Sequence, residues 1–424
     1  MFLLSLLFLL NVLDVFSRDF RVASGGVLLL TMDPFYFFAI THLGLSALRQ
    51  PRNLASVIRE NGFLCAFLVM LAVYVLAYTP TYGQSALGEA RKYYFPFLIP
   101  LVVLTVIKKP EDLRRLTQLV VFTASVVAAG ALGLALETFS LVRVLNSEGT
   151  FILALAALTM LLHRIHKLVV FTPRLDRSLL VLFSAITVAS GQRSVWLAVG
   201  FGLLTLALLY HGRPEILVKL SIVLVVSMVI SGFAIASFPK AQEQLATFFA
   251  GILDPSSDGN ATWRMESWRQ QLGRLQNTEL FFGTGIGNYY SWRWHGYEIT
   301  VAPHNAYVQT ILKFGLFGLF IYLLLALQFF HNTMAARKKL GPGPMRAWVE
   351  IGIINFAAAQ GFMLGYGFEA ITFIYFALAL STARLSERFW KAKRPAVGFP
   401  YKVGRRAQRT QASNSIAGRL ERTA

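Results

Sequence analysis

The chain of 424 residues is 55% hydrophobic and 14% charged, and its formal net charge is +19. A water-soluble domain averages about 25% charged residues, so this composition excludes an ordinary soluble domain. Apolar runs of about 18 residues or more recur without strand-like alternation, which indicates transmembrane helices and excludes an outer-membrane barrel. The single cysteine, Cys65, excludes both a disulfide framework and a cysteine-based metal site.

Taken in chain order, the apolar runs predict an all-α polytopic membrane protein with about twelve transmembrane helices. The first run has no basic n-region and no small-residue cleavage site, so we predict a retained helix and not a removed signal peptide. The seventh and eighth runs, separated only by residues 191–193, are either two short spans or a re-entrant pair. The predicted spans lie near 2–16, 26–48, 62–79, 93–107, 116–136, 150–163, 178–191, 194–210, 216–237, 305–330, 347–366 and 371–385.

The connections between these spans alternate in basic character, which predicts their sides of the membrane. With both termini in the cytoplasm, the Lys- and Arg-rich segments all lie on the cytoplasmic side, as the positive-inside rule requires. The basic tail is predicted to be a disordered segment on anionic lipid, so the bilayer and not nucleic acid accounts for the net charge. The basic segments are 49–61, 108–115, 163–177, 211–219, 331–346 and the tail from Arg384.

One long polar segment remains on the exterior side and divides the chain. Within it, Thr262 is a predicted helix N-cap, because the residues that follow have helical spacing. The glycine-rich residues 283–287 follow no strand of a βαβ unit and lack a P-loop lysine, so we interpret them as a tight turn. The predicted divisions are nine spans (1–237), the exterior loop (238–304), three spans (305–385) and the basic tail (386–424).

Three polar residues stand at predicted helix starts on the exterior side, where an ionisable group is costly unless it has a partner. Arg193 begins the eighth span, and its planar guanidinium suits a phosphate, although an arginine that anchors the helix by snorkelling fits equally. Arg264 lies among tryptophans and is either a ligand-facing cation or one of several solvated arginines. His304 follows Pro303, which suits the first position of a helix, so His304 is either a proton acceptor or part of a polar helix start.

Two cations and one base on the same face together match a reaction on a lipid-linked diphosphate. The cations would hold the diphosphate leaving group, and the histidine would position or deprotonate an acceptor hydroxyl. A nucleotide sugar is a less suitable donor, because the chain has no Walker motif and no dinucleotide fingerprint. The exterior turn 365–369 adds a weaker candidate, Glu369, which either pairs with an arginine or a sugar hydroxyl or simply caps a helix.

In these motifs the chain resembles the bacterial O-antigen ligase and O-antigen polymerase family of surface-polysaccharide enzymes. Its layout, with one long exterior loop before the last three spans, is also similar to that family. The segments that carry the resemblance are 190–197 (Ser-Gly-Gln-Arg-Ser-Val-Trp-Leu), Arg264 with Trp268 followed by 282–287 (Phe-Gly-Thr-Gly-Ile-Gly), and 303–308 (Pro-His-Asn-Ala-Tyr-Val) leading into 314–318 (Phe-Gly-Leu-Phe-Gly).

The resemblance implies a membrane fold of the C type of glycosyltransferases, with its active face in the periplasm of a bacterial inner membrane. It implies that Arg193 and Arg264 bind the undecaprenyl diphosphate of a lipid-linked oligosaccharide, and that His304 activates or orients a glycan or lipid acceptor. Catalysis is implied to need no metal and no cofactor. A chain-length regulator or a flippase of the same pathway is a further expected partner. The motifs make weaker site candidates of Trp268, Asn305 and Tyr307.

The sequence therefore predicts a glycosyltransferase that polymerises oligosaccharide repeats of a surface polysaccharide or exopolysaccharide. A ligase that transfers the glycan to lipid A-core is the alternative, because both reactions need the same donor site. A transporter of polysaccharide or lipid-linked glycan is an alternative of another class, but no internal repeat is visible and few charges lie within the spans. A membrane scaffold without catalysis is the third hypothesis.

Overall fold

The computed structural model describes most of the chain, and the described part is mostly helical, with two short antiparallel hairpins. The predicted helical class is confirmed over this part. The ninth predicted span (216–237) and the loop segment 238–258 lie largely or wholly outside the described residues, as do much of the first span and the tail from 394. The described residues are 3–7, 9–10, 22–24, 27–29, 33–138, 145–215, 218, 221–222, 225–226, 229, 259–288 and 290–393.

The elements of the described chain are named here in chain order. They are β1 (Val22–Ser24), β2 (Val27–Leu29), α1 (Asp33–Arg49), α2 (Pro51–Glu60), α3 (Gly62–Tyr82), α4 (Gln84–Val106), α5 (Pro110–Thr138), α6 (Ser147–Ile165), α7 (Pro173–Ala189), α8 (Arg193–Leu209), α9 (Gly259–Leu272), α10 (Thr278–Phe282), β3 (Ser291–Trp294), β4 (Tyr297–Thr300), α11 (Ala306–Lys339), α12 (Pro344–Met363) and α13 (Ala370–Lys393).

The predicted span 26–48 begins too early. Val22 pairs with Leu29 in the antiparallel β1–β2 hairpin, and the helix starts only at Asp33. Pro34 suits a first helical turn, because its ring sets the required φ and no N–H partner is needed there. A short apolar run is compatible with either a strand or a helix, so hydropathy alone did not locate this boundary.

Four helices of the described chain are long and apolar enough to cross a membrane. They are Gly62–Tyr82, Pro110–Glu137, Ser147–Ile165 and Ala306–Lys339, and each overlaps a predicted span, the last beginning one residue after the predicted start. The other predicted spans in the described chain fall on helices that are shorter or more polar, among them the short apolar stretches Pro96–Val106 and Arg193–Leu209. The total of about twelve spans, and the exterior position of the loop, remain predictions based on hydropathy and charge.

Small residues let α12 approach its neighbours closely. A Cβ atom at Gly361 would lie 3.1 Å from Cα of Ala198 in α8, and one at Gly352 would lie 2.3 Å from Cβ of Ala379 in α13. Small residues at such positions allow helix backbones to pack tightly inside a membrane bundle. The close fit carries the C-terminal end of α12 alongside the start of α8.

A buried ionic cluster joins four helices at the opposite end of this bundle. The fully buried Glu350 of α12 accepts hydrogen bonds from Arg337 Nε at 2.7 Å and Arg346 Nε at 2.9 Å. His166 Nε2, just after α6, lies 2.7 Å from the same carboxylate, and the hydroxyl of Tyr210, just after α8, also donates to it. These contacts hold the ends of α6, α8, α11 and α12 together. Some of the groups in the cluster belong to segments that are predicted to be cytoplasmic.

Helix α11 is interrupted at Gly315, where φ is 67°. The interruption leaves carbonyl groups without partners in the helix, and the glycine-rich turn supplies donors for two of them. Thr284 N–H donates to the carbonyl of Leu312 at 2.9 Å, and Gly285 N–H donates to the carbonyl of Lys313 at 3.0 Å. Backbone groups inside a membrane protein need such partners.

The predicted tight turn is confirmed at residues 283–287, because three of its glycines have positive φ. A Cβ atom at Gly283 would lie 2.3 Å from the backbone of Lys313, so only glycine fits against the interrupted helix. Lys313 also reaches across to α4, where its Nζ lies 2.9 Å from the carboxylate of Glu89. Gly287 N–H donates to the same carboxylate at 2.6 Å.

Candidate functional site

A cleft of about 460 Å³ opens where three separate segments of the chain meet. Helix α9 contributes its first two turns, the segment before α11 contributes His304, and the turn between α12 and α13 contributes Tyr366. Two of the predicted site residues, Arg264 and His304, therefore line the same cavity. The complete lining is Gly259, Asn260, Trp263, Arg264, His304 and Tyr366.

Helix α9 begins earlier than predicted, so Thr262 is not its N-cap. The helix starts at Gly259, and the hydroxyl of Thr262 donates back to the carbonyl of Gly259 at 3.1 Å. A threonine inside a helical turn often makes this backward hydrogen bond, which removes its hydroxyl from the capping role. Arg264 consequently lies more than one turn inside the helix and not at its start.

The Arg264 guanidinium occupies an aromatic and partly desolvated position. Its Cζ lies 5.9 Å from the ring centroid of Tyr366, within range of a cation–π interaction. Its Nη1 would lie 3.5 Å from a Cβ atom at Gly365, so the glycine leaves room for the side chain. Arg264 Nε is buried and has no hydrogen-bond acceptor within the described part of the chain. A buried cationic donor of this kind favours an anionic ligand, which would satisfy both its charge and its N–H group.

His304 lies before α11 and does not open it, contrary to prediction. The helix begins at Ala306, and Asn305 is its N-cap: Oδ1 accepts hydrogen bonds from the N–H groups of Tyr307 at 2.9 Å and Val308 at 3.0 Å. Asparagine is among the most favourable N-cap residues, so it sets the start of the helix in preference to Pro303. This geometry gives Asn305 a capping role and leaves the His304 ring in the cleft.

The His304 ring has two aromatic neighbours. Its centroid is 5.8 Å from that of Trp263 and 5.9 Å from that of Tyr366. Burial lowers the pKa of His304 below its ordinary value of 6.5, and the positive charge of Arg264 lowers the pKa further. A neutral imidazole near neutral pH can accept a proton, as a general base requires.

Arg193 begins α8 as predicted, and its side chain is half-buried. It does not line the cleft with Arg264 and His304. Its neighbour Ser194 nevertheless lies close by, because a Cβ atom at Gly365 would be 2.9 Å from Ser194 Cβ and 3.5 Å from Arg264 Nη1. The start of α8 and the Arg264 guanidinium thus flank the same glycine.

The weaker candidates have different surroundings. The Tyr307 hydroxyl donates to Gln360 Oε1 at 3.0 Å, and its ring packs on Tyr322, so Tyr307 faces the bundle. Trp268 has a buried Nε1–H without an acceptor among the described residues, and it does not line the cleft. Glu369 directly precedes α13, and its carbonyl accepts the N–H of Thr372 at 3.1 Å, which is the position of a helix cap.

Sequence reasoning missed Tyr366, which has four neighbours in the cleft region. It lies near Arg264 and His304, its hydroxyl accepts a hydrogen bond from Ser147 at the start of α6, and its ring stacks on Phe362 at 4.9 Å. The sequence signal was the turn 365–369, which begins Gly-Tyr-Gly and in which Glu369 alone was predicted as a candidate. A tyrosine in a polar turn belongs to no sequence pattern that identifies its contacts, because those contacts depend on how the helices pack.

The fold and the cleft define a helical membrane protein with an arginine and a histidine of lowered pKa beside aromatic rings. A family model described as O-antigen ligase matches residues 178–323, a segment that includes Arg193, Arg264 and His304. The match confirms the resemblance to the O-antigen ligase and polymerase family, and it supports ligase- or polymerase-type glycosyl transfer in polysaccharide assembly as the class of function. A search of curated proteins found no match.

Proposed function

We propose that the protein is a periplasmic-face glycosyltransferase of the bacterial inner membrane that polymerises oligosaccharide repeats. The donor is an undecaprenyl-diphosphate-linked oligosaccharide, and the acceptor is another glycan. One observation carries the proposal: Arg264, whose buried Nε has no acceptor among the described residues, and His304, with its lowered pKa, line the same cleft. A cation and a base at one site are what a transfer from a diphosphate leaving group requires.

The proposed reaction proceeds by displacement at the anomeric carbon of the donor. An acceptor hydroxyl gives its proton to a ring nitrogen of His304 while its oxygen bonds to the anomeric carbon. The bond from that carbon to the diphosphate oxygen breaks, and its electron pair leaves with undecaprenyl diphosphate. Arg264 stabilises the charge that develops on the leaving oxygen, and Arg193 at the start of α8 binds the distal part of the diphosphate.

Polymerase and ligase share this chemistry and differ only in the acceptor. A polymerase transfers the glycan to another lipid-linked repeat, whereas a ligase transfers it to lipid A-core. The match to an O-antigen ligase model supports the common donor reaction, and the choice of polymerase is part of the proposal. The acceptor therefore has to be identified by the product.

A transporter is the second candidate, because α11 is interrupted at Gly315 beside a buried Lys313–Glu89 pair. Interrupted helices with buried charges are frequent at transporter binding sites, where freed backbone groups contact the substrate. Here two carbonyls at the interruption accept hydrogen bonds from Thr284 and Gly285. Since protein groups already fill these positions, the observation favours a structural role for the interruption, and the transferase remains the better proposal.

The test uses a deletion strain complemented with His304→Ala, Arg264→Ala or Arg193→Ala. Two matched controls accompany them: Arg269→Ala changes an arginine of α9 that is 75% exposed and paired with Glu266, and His331→Ala changes an exposed histidine of α11. Polysaccharide length, lipid-linked intermediates and the amount of membrane-inserted protein are measured for each strain.

We expect His304→Ala and Arg264→Ala to abolish polymer, with single lipid-linked repeats accumulating and a normally capped core. Both controls should produce wild-type polymer. Long polymer that stays on its lipid carrier would instead identify a ligase. Lipid-linked repeats confined to the cytoplasmic leaflet would identify a transporter, and normal polymer in all site variants would reject the catalytic proposal.

A further inference from the structure

Trp263 lines the cleft beside His304, with 5.8 Å between the two ring centroids. Its side chain is half-exposed and lines the cavity, one residue before Arg264. The indole lies 5.0 Å from that of Trp292, with the two ring planes at 73°, and Trp292 is fully buried. Trp263 is therefore supported from the protein side while part of its surface is available to the cavity.

The hairpin that supports Trp263 is attached to α9 by a pair of hydrogen bonds. Gln270 Nε2 donates to the carbonyl of Arg293 at 2.9 Å, and Arg293 N–H donates to Gln270 Oε1 at 2.9 Å. Trp292 lies next to Arg293 in β3, where it pairs with Ile299 of β4. The indole of Trp263 is thus held on a fixed platform, which reduces the entropy lost when a ligand stacks on it.

The cleft consequently has two chemically different halves, and each contains an aromatic ring close to His304. One half contains the Arg264 guanidinium next to Tyr366, at 5.9 Å, and is suited to an anion. The other half contains the Trp263 ring, 5.8 Å from His304, and is suited to a weakly polar flat surface. A diphosphate-linked glycan has these two chemistries in adjacent groups, because the anion is bonded directly to a sugar.

We propose that Trp263 is a glycan-binding subsite that stacks on a pyranose ring next to the reacting bond. The C–H groups on one face of a pyranose are weakly positive, and the face of an indole is negative, so the two surfaces attract. Asn260 lines the same cavity, and its amide has the donor and acceptor groups that ring hydroxyls need. This inference rests on the proposed function and specifies which half of the site recognises sugar.

Two probes separate the sugar subsite from the anion subsite. The first is the oligosaccharide repeat released by mild acid from the lipid-linked pool of the host strain, which has no lipid and no phosphate. The second is undecaprenyl diphosphate, which has no sugar. Binding of each probe is measured with the full-length protein in lipid nanodiscs, for wild type, Trp263→Phe, Trp263→Leu and Arg264→Gln. Trp348→Phe, in the buried core at the other end of α12, is the matched control.

We expect Trp263→Leu to weaken binding of the released oligosaccharide by about three- to tenfold, the effect of losing one aromatic stacking interaction. Trp263→Phe should restore part of that loss, because it retains a ring. Binding of undecaprenyl diphosphate should be unchanged in both variants and should fall in Arg264→Gln. The control should bind both probes as wild type does.

The Michaelis constants distinguish the source of the stacked sugar. A rise confined to the lipid-linked donor assigns Trp263 to the donor glycan, and a rise confined to the acceptor assigns it to the acceptor glycan. Unchanged oligosaccharide binding in Trp263→Leu, equal loss of both probes, or no oligosaccharide binding by wild type would overturn the inference. Failure of wild type to bind undecaprenyl diphosphate, with Trp263-dependent sugar binding intact, would reject the proposed function alone.

Discussion

At the scale of residues, the environment of His304 determines what its imidazole can do. Burial and the nearby positive charge of Arg264 both disfavour the protonated ring, so the pKa of His304 lies below 6.5. The same arginine that would hold the leaving group therefore also disfavours protonation of the proposed base, in addition to the larger effect of burial. The two proposed roles are coupled through their proximity in one cleft.

This coupling predicts a change in pH dependence. The wild-type kcat/KM should fall as the pH drops through the pKa of His304, with a midpoint below 6.5. In Arg264→Gln the midpoint of the residual activity should move upward, because one of the two causes of the lowered pKa is removed, but it should stay below 6.5 because burial persists. A nuclear magnetic resonance titration of 13C-labelled histidine provides an independent reading, and Arg269→Gln should leave the midpoint unchanged.

Tyr366 gives a second prediction at this scale. Tyr366→Phe retains the ring beside Arg264 and removes only the hydroxyl that bonds Ser147. Tyr366→Leu also removes the cation–π contact, which contributes about 0.5–1 kcal/mol, so the KM for the lipid-linked donor should rise about two- to fivefold while kcat changes less. Ser147→Ala should match Tyr366→Phe, and combining the two should add nothing. Equal KM values for Tyr366→Leu and Tyr366→Phe would show that the ring does not position Arg264.

At the scale of elements, the interruption of α11 explains why the glycine-rich turn 283–287 packs against this helix. Gly315 adopts a φ of 67°, and the backbone at Leu312 and Lys313 then offers carbonyls to Thr284 and Gly285. A Cβ atom at Gly315 would lie 2.1 Å from the carbonyl oxygen of Phe281, so the helix and the turn fit together only with glycine. The glycine-rich turn thus holds the N-terminal part of α11 in place. Asn305, which caps this helix, directly follows His304.

The ion pair at this interruption predicts a non-additive loss of stability. The side chains of Lys313 and Glu89 are 6% and 5% exposed. Lys313→Met or Glu89→Gln alone leaves a buried charge without its ion partner, and each should destabilise the protein by about 3–5 kcal/mol. The double variant should lose less than the sum of the single variants, as measured by thermal unfolding in detergent micelles. Additive losses would show that the two side chains do not stabilise each other.

At the scale of the whole molecule, the described helices have two distinct ends. The ends that carry Arg193, His304 and Tyr366 lie together, and the ends that carry the Glu350 cluster lie together at the other side of the bundle. The basic residue Arg337 of that cluster belongs to a segment predicted to be cytoplasmic. This arrangement agrees with the alternation of helix directions that the positive-inside rule requires.

The orientation of the protein in the membrane can be tested by cysteine labelling. The only native cysteine is first removed by Cys65→Ser. Thr300→Cys, exposed at the end of β4, should react with a membrane-impermeant maleimide in cells whose outer membrane has been made permeable. Lys338→Cys, exposed near the end of α11, should react only after lysis. The reverse labelling pattern would place the cleft on the cytoplasmic face and contradict the proposed topology.

Several features were accessible from the sequence because they depend on local composition. Hydropathy predicted a helical membrane protein, and three short motifs predicted the family that the match at residues 178–323 supports. The exact helix starts were not accessible, because they depend on competition between local signals. Asn305 accepts hydrogen bonds from N–H groups of the first turn, so the helix begins after Asn305 and not at Pro303. The Thr262 hydroxyl donates back to the carbonyl of Gly259, so Thr262 lies inside its helix and does not cap it.

The class of protein and the residue types available for chemistry follow from the amino-acid sequence, since apolar runs and isolated charges near a bilayer have few stable solutions. The three-dimensional packing is needed to show which groups share a cavity. It placed Trp263 and Arg264 of α9 next to His304 and Tyr366, residues separated by up to about a hundred positions in the chain, because the packed helices bring α9, the segment before α11 and the turn after α12 together. It also decided that Lys313 has Glu89 as its partner, since neither residue is near the other in sequence and only helix packing makes them neighbours.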